Sequence, residues 1–245
     1  MLPTLVSNWL HRNLTDYTIN PAKIAGFFLG CKYLMQIIPA WTVPMYLFQW
    51  EDHSKHQQNL LDACERHQAT NRNSGVATTI KSGLYESDFD FLTDPDPAVA
   101  ALLEWGRGCV FQAAKTANQD RWPPGARIGI NVHESWCHIT RTGGYHDMHI
   151  HPNSSWSAIY YVSIGESSVD TRSGINRFYS PWNVAYSDIG MRYASETSSI
   201  DIPPTDGSLI VFPSWLPHAA TTYAGTQPRV IVAFNCRFVD GGVNV

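Results

Sequence analysis

Charge is scarce in this sequence: only 16% of its 245 residues are Asp, Glu, Lys or Arg, against 44% hydrophobic, and the net charge is -4. No Lys/Arg run occurs, which leaves no electrostatic footprint for nucleic acid or an anionic lipid surface. The five cysteines, Cys31, Cys64, Cys109, Cys137 and Cys236, show no Cys-x-x-Cys spacing and are odd in number. A disulfide framework and a zinc ribbon are therefore both disfavoured, and a reducing, cytoplasmic location is expected. No uninterrupted apolar run is long enough for a membrane span of roughly 20 residues. The most apolar stretch, Gly26 to Trp50, is broken by Lys32, Gln36, Pro39, Pro44 and Gln49 and reads as a buried core segment. The opening residues reach His11 and Arg12 before an apolar run of signal-peptide length has formed. Repeats and low-complexity tracts are absent too. What remains is a globular chain with ample core material and a small-molecule, amino-acid or peptide partner.

The length suits one large domain spanning 1–245. Within it, residues 1–122 read as a helical, buttressing region and 123–245 as a β-rich core. Glu51 to Ala69 has Leu60, Leu61 and Cys64 on one side, the narrow stripe of a surface helix. A second helix is better punctuated: Asp96 can cap it, Pro97 suits its first turn, and Val99, Leu102, Leu103, Gly106, Val110 and Ala113 keep helical spacing. Gly106 and Gly108 each weaken that helix by up to about 1 kcal/mol relative to alanine, so tertiary packing must support it. After Pro123-Pro124-Gly125 the pattern turns to strands, expected near Gly129 to Thr140, Tyr145 to His151, Ser157 to Ile164, Ile200 to Ile202, Ser208 to Phe212 and Arg229 to Val239. A long insertion of strands and loop is expected around Asn176 to Ser198. Helices first and strands afterwards predict a mainly β (α+β) fold, a barrel with a helical layer against one face.

Six of the ten histidines lie between His133 and His218, and the densest run is Tyr145 to His151, Tyr-His-Asp-Met-His-Ile-His. Strand alternation puts Tyr145, Asp147, His149 and His151 on one face and His146, Met148 and Ile150 on the other. Two imidazoles at i and i+2 can grip one ion. His218, just after the apolar run Leu209 to Phe212, can return to the same cavity from across the barrel. Three ligands on one side of an ion leave its other positions open to a chelating co-substrate and O₂. Arg229, eleven residues on, opens a strand from which a guanidinium can hold a carboxylate whose other end chelates the metal. His133 and His138 taken singly read as ordinary core or surface residues.

These residues resemble the 2-oxoglutarate/Fe(II) oxygenase superfamily, in particular a small family with a Ser-Trp strand, a His-x-His-Pro block and a following Tyr-Tyr-Val strand. Here these are Ser135-Trp136, His149-Ile150-His151-Pro152 and Tyr160-Tyr161-Val162, continued by Gly207 to His218, Arg229 and Ala233-Phe234-Asn235. Lys81 to Tyr85 also looks like a family segment. The resemblance implies a double-stranded β-helix, a jelly-roll or cupin-like barrel, working as a dioxygenase with Fe(II), 2-oxoglutarate and O₂. It implies His149 and His218 as metal ligands, Arg229 on the far carboxylate of 2-oxoglutarate, and Tyr161 where relatives use a tyrosine hydroxyl on that carboxylate.

One departure matters. Superfamily members carry His-x-Asp or His-x-Glu, and this chain has His151 where the carboxylate belongs. His151 takes the motif's ligand position, whereas Asp147 shares the predicted face of His149 and is the rival ligand. A 2-oxoglutarate-independent three-histidine dioxygenase, a cupin-type isomerase and a jelly-roll binding module without catalysis are the competing functions. Trp136, Arg141, Trp156 and Trp215 are candidates for the entrance.

Overall fold

In the segments Ser157 to Ile164, Ser208 to Phe212 and Arg229 to Val239, apolar residues fall at both odd and even positions, which asks for a sheet covered from two sides. The computed structural model describes residues 42–70, 72, 80–118, 121–182 and 198–240, and Val43–Val245 makes up one compact unit. The expectations for residues 1–41 lie outside the described residues. Among the described residues, nine antiparallel strands form one curled sheet: β1 (Tyr46–Gln49), β2 (Lys81–Glu86), β3 (Ile128–His149), β4 (Trp156–Ser163), β5 (Asn176–Tyr179), β6 (Ser199–Ile202), β7 (Ser208–Pro213), β8 (His218–Ala220) and β9 (Arg229–Asp240). Their order is β1-β7-β4-β9-β3-β8-β5-β6, with β2 also paired to β3. This is the expected mainly β, jelly-roll class. No helix among the described residues is long and apolar enough to cross a membrane.

Two helices, α1 (His53–Ala69) and α2 (Pro97–Asn118), cover one face. The Asp96 carboxylate accepts the Ala98 N–H at 2.9 Å, the cap that the sequence predicts. Leu60, Ala63 and Cys64 of α1 and Val99, Leu102, Val110 and Ala113 of α2 pack with Tyr160, Leu209, Val211, Val230, Val232 and Phe234. Gly106 is a packing device: a Cβ there would lie 2.9 Å from the Phe234 ring, so glycine lets α2 settle onto β9. The opposite face gathers Trp136, Ile159, Tyr161, Phe178, Ile210, Phe212, Ile231 and Ala233 into a second cluster inside the curl. Period-two alternation along β4, β7 and β9 thus feeds two different cores.

One expectation needs correction. The strands expected at Gly129 to Thr140 and Tyr145 to His151 are one continuous strand, β3, which ends at His149 and leaves His151 just beyond it. The reason is β2, which lies alongside with Glu86 opposite His138 and Lys81 opposite His146, its register slipping between Ser82 and Leu84. Gly83 has φ +63°, and a Cβ there would meet the Gly144 backbone at 2.6 Å, so the two strands touch at paired glycines. Within the expected insertion, β5 is a strand paired to β6 and β8, while residues 183–197 lie outside the described residues.

Candidate metal centre

β3 and β8 run antiparallel with His149 directly opposite His218, and the chain leaving β3 brings His151 around to the same point. Each of the three can offer a ring nitrogen within 4.8 Å of the other two, the only such group of His, Cys, Asp and Glu among the described residues. Ring centroids lie 4.3 Å apart for His149 and His218, 5.1 Å for His149 and His151, and 5.2 Å for His151 and His218. The main chain orients two of the rings. His149 Nδ1 bonds the Asp147 carbonyl at 2.7 Å, and His218 Nδ1 bonds the Leu216 carbonyl at 3.0 Å. A carbonyl only accepts, so each Nδ1 carries the proton and each Nε2 presents a lone pair.

Burial keeps the rings neutral. It pulls His149 and His218 below the ordinary histidine value and, with the neighbouring imidazoles, takes His151 down to about 3. Neutral imidazoles in a closed cluster are what a divalent metal needs and what solvent protons would otherwise spoil. Asp147 is exposed and reaches the cluster only through its main-chain oxygen, so its carboxylate is not among the convergent ligands.

The three histidines line a cavity that continues along β9 through Arg229, Ile231, Ala233 and Asn235, alternate residues of one strand face. Arg229 is 1% exposed, and no acidic partner for it is found among the described residues. One guanidinium nitrogen, Nη2, donates to Asn176 Oδ1 at 2.7 Å, while Nε is buried without a partner. Tyr161 donates to the same Asn176 oxygen at 2.7 Å, and its ring lies 5.4 Å from the guanidinium carbon. Burial raises the Tyr161 hydroxyl to about 12, although Arg229 pulls it the other way, so it stays protonated. At the other end, Asn235 accepts from Ser157 at 2.7 Å and donates to Glu134 at 2.9 Å. An outer cleft of about 700 Å³ shares Trp136, His146, His149, His151 and Asn235 with the inner cavity and adds Lys81, Phe89, Met148 and Ile150.

His149, His151, His218, Arg229 and Tyr161 are thus brought to one curl interior. Of the entrance candidates, Trp136 lines both cavity and cleft, whereas Trp156 packs on the helix side, Arg141 reaches toward Gln68 on the surface, and Trp215 is exposed. His146 corrects the alternation: instead of facing away, it is 6% exposed and stacks on His149 at 4.0 Å with 17° between the planes. The β3–β8 register shifts between His146 and His149, which brings the two rings to the same side. Asn176 opens the expected insertion of strands and loop, and nothing in that reading assigns its amide oxygen to Arg229 and Tyr161.

The model of a family described as "Putative 2OG-Fe(II) oxygenase" matches residues 134–235. No curated protein matches the chain. Among solved structures, the chain is similar to the non-heme alpha-ketoglutarate-dependent carbocyclase SnoK from nogalamycin biosynthesis, with a TM-score of 0.56, 9% identity, and 79% of each chain covered. It is also similar to the epimerase SnoN from the same biosynthesis, at 0.54, 9% identity, with 81% of this chain and 77% of that one covered. A prolyl-4-hydroxylase from Pseudomonas putida matches at 0.50 and 16% identity, covering 79% of this chain and 93% of that one. These likenesses establish the jelly-roll fold, and the family model matches the part of the chain that carries the cluster. The stretch that this family model matches, from Glu134 to Asn235, holds every residue of the histidine cluster and the guanidinium beside it.

Proposed function

We propose that the protein is a dioxygenase in which His149, His151 and His218 hold Fe(II), Arg229 takes the far carboxylate of 2-oxoglutarate, and the product is a hydroxylated small molecule or amino-acid or peptide substrate. One observation carries this reading: a fully buried arginine with no carboxylate partner among the described residues lines the same cavity as three convergent, neutral imidazoles. An uncompensated buried charge is costly, so the cavity is built for an anion that arrives from outside. A molecule with a carboxylate for Arg229 and a second chelating end for the metal satisfies both sites at once.

The residues fit the group they would hold. Nε2 of His149 and His218 are set as acceptors by main-chain bonds to Nδ1, and three ligands leave positions open on the far side of the ion. When bound, iron with 2-oxoglutarate and O₂ supplies the oxidising power: one oxygen atom goes to succinate as CO₂ leaves, the other to the substrate C–H. Asn176 accepts from both Arg229 and Tyr161 and so steadies the guanidinium in the cavity wall, where its Nε has no protein partner. Ile231, Phe212 and Ala233 line the cavity with apolar surface that excludes water. Trp136 and Asn235 flank the passage to the outer cleft, where the apolar Phe89, Met148 and Ile150 can receive a substrate body.

Anaerobic titration of the iron-loaded chain with 2-oxoglutarate tests this. A weak visible charge-transfer band is expected. An iron-loaded protein that shows none, and that consumes O₂ without releasing succinate, would be a 2-oxoglutarate-independent three-histidine dioxygenase instead.

A further inference from the structure

A site of three neutral histidines lacks the carboxylate that usually balances part of the metal's charge, and a buried carboxylate lies close by with no role in the function proposed above. Glu86, on β2, is 8% exposed. Its Oε2 accepts from His138 Nε2 at 2.8 Å, and Lys81 bonds the other oxygen. The His138 ring meets His146 edge-on at 5.6 Å, and His146 stacks on the ligand His149 at 4.0 Å. The pairings are cross-strand: Glu86 stands opposite His138 and Lys81 opposite His146, on either side of the Gly83 irregularity.

We propose that Glu86 is the carboxylate of this metal centre, displaced outward by one layer of imidazoles: through His138 and His146 it steadies the three-histidine site and favours a cation there, and Lys81 opposes it. The inference rests on His149, His151 and His218 being the metal ligands.

The carboxylate is ionised. Burial raises its pKa, but the bonds to His138 and Lys81 outweigh burial and hold it at about 2. Burial keeps His138 below the ordinary histidine value despite Glu86, so the pair is an anion beside a neutral ring whose Nε2–H points at it. Glu86 and Lys81 line the same outer cleft as His146, His149 and His151. Low local dielectric lets such a charge act across the intervening rings. This also gives β2 a reason to lie against β3, since Lys81 to Glu86 delivers both charges to the outer side of the histidine cluster.

The sign of the effect separates this from a merely structural role. Co(II) would be titrated into the full apo chain and read by its visible spectrum, with thermal unfolding followed by circular dichroism. Glu86→Gln keeps the shape and removes the charge, and should weaken Co(II) binding by about tenfold, the lower end of what outer partners of metal ligands carry. Lys81→Met keeps the stem and removes the opposing charge, and should tighten binding. Glu86→Gln binding within twofold of the parent, or both variants weakening it, overturns the proposal. Should Glu86→Gln fail to fold, Lys81→Met decides alone, and unchanged or weaker binding overturns it. His218→Ala is the reference: if it binds Co(II) as the parent does, the ligand assignment itself has failed, a result distinct from failure at Glu86.

Discussion

The two faces of β9 differ by a single residue step and do different work. Val230, Val232, Phe234 and Cys236 point to the helices and join an apolar cluster, while Arg229, Ile231, Ala233 and Asn235 point into the cavity and bring a charge and an amide to it. A strand buried on both faces can devote one to stability and the other to chemistry, because successive side chains alternate. The stability face carries apolar side chains at Val230, Val232 and Phe234 and a thiol at Cys236. The cavity face carries Arg229, a charge that protein atoms alone leave poorly compensated.

Three substitutions probe that division. Phe234→Ala should cost about 3 to 5 kcal/mol of folding stability in denaturant titration, as for other large core truncations, while the folded fraction keeps its metal affinity. A loss of metal affinity at unchanged stability would erase the distinction between the faces. His218→Ala should do the reverse, lowering divalent metal affinity by more than about 100-fold, or about 2.7 kcal/mol, with little change in unfolding midpoint. Arg229→Met comes next: by calorimetry on the metal-loaded protein it should weaken 2-oxoglutarate by roughly 2 kcal/mol, given the worth of hydrogen bonds to charged groups. Its apo form should be no less stable than the parent, since a buried charge has been replaced by an apolar side chain. A clear drop in apo stability would move Arg229 to the stability face.

The smallest effect sharpens the helix side of the comparison. Gly108→Ala on α2 should stabilise by up to about 1 kcal/mol, because helix propensity favours alanine and no atom lies within 4 Å of the added Cβ. Gly106→Ala should instead destabilise, because its Cβ meets the Phe234 ring at 2.9 Å. Equal shifts for both in thermal unfolding would remove the close α2–β9 approach from the account.

Much of this was open to a reader of the sequence. Both helices are announced by their apolar spacing, and α2 by its Asp96 cap; β4, β7 and β9 stand out as short apolar runs between turn residues. The His149–His151 spacing, His218 after an apolar strand and Arg229 at the head of the next one mark the chemistry, since few other purposes require those residue types together. The errors concern pairings between distant segments. His146 was placed on the wrong face because alternation holds only while register is continuous, and the β3–β8 pairing slips between His146 and His149. β2 was seen as a familiar segment, yet nothing local to Lys81 or Glu86 states that they stand opposite His146 and His138. The partners of Asn176, at the head of the expected insertion, are likewise set by pairing between distant strands.

Taken alone, the order of residues determined which groups are available: three imidazoles, a guanidinium, and two amphipathic helices to cover a sheet. Tertiary structure decided which of them meet. Covalent spacing specifies side-chain direction along one strand, but a bulge resets that direction, and cross-strand neighbours such as Glu86 and His138 are chosen only when separate strands settle into register.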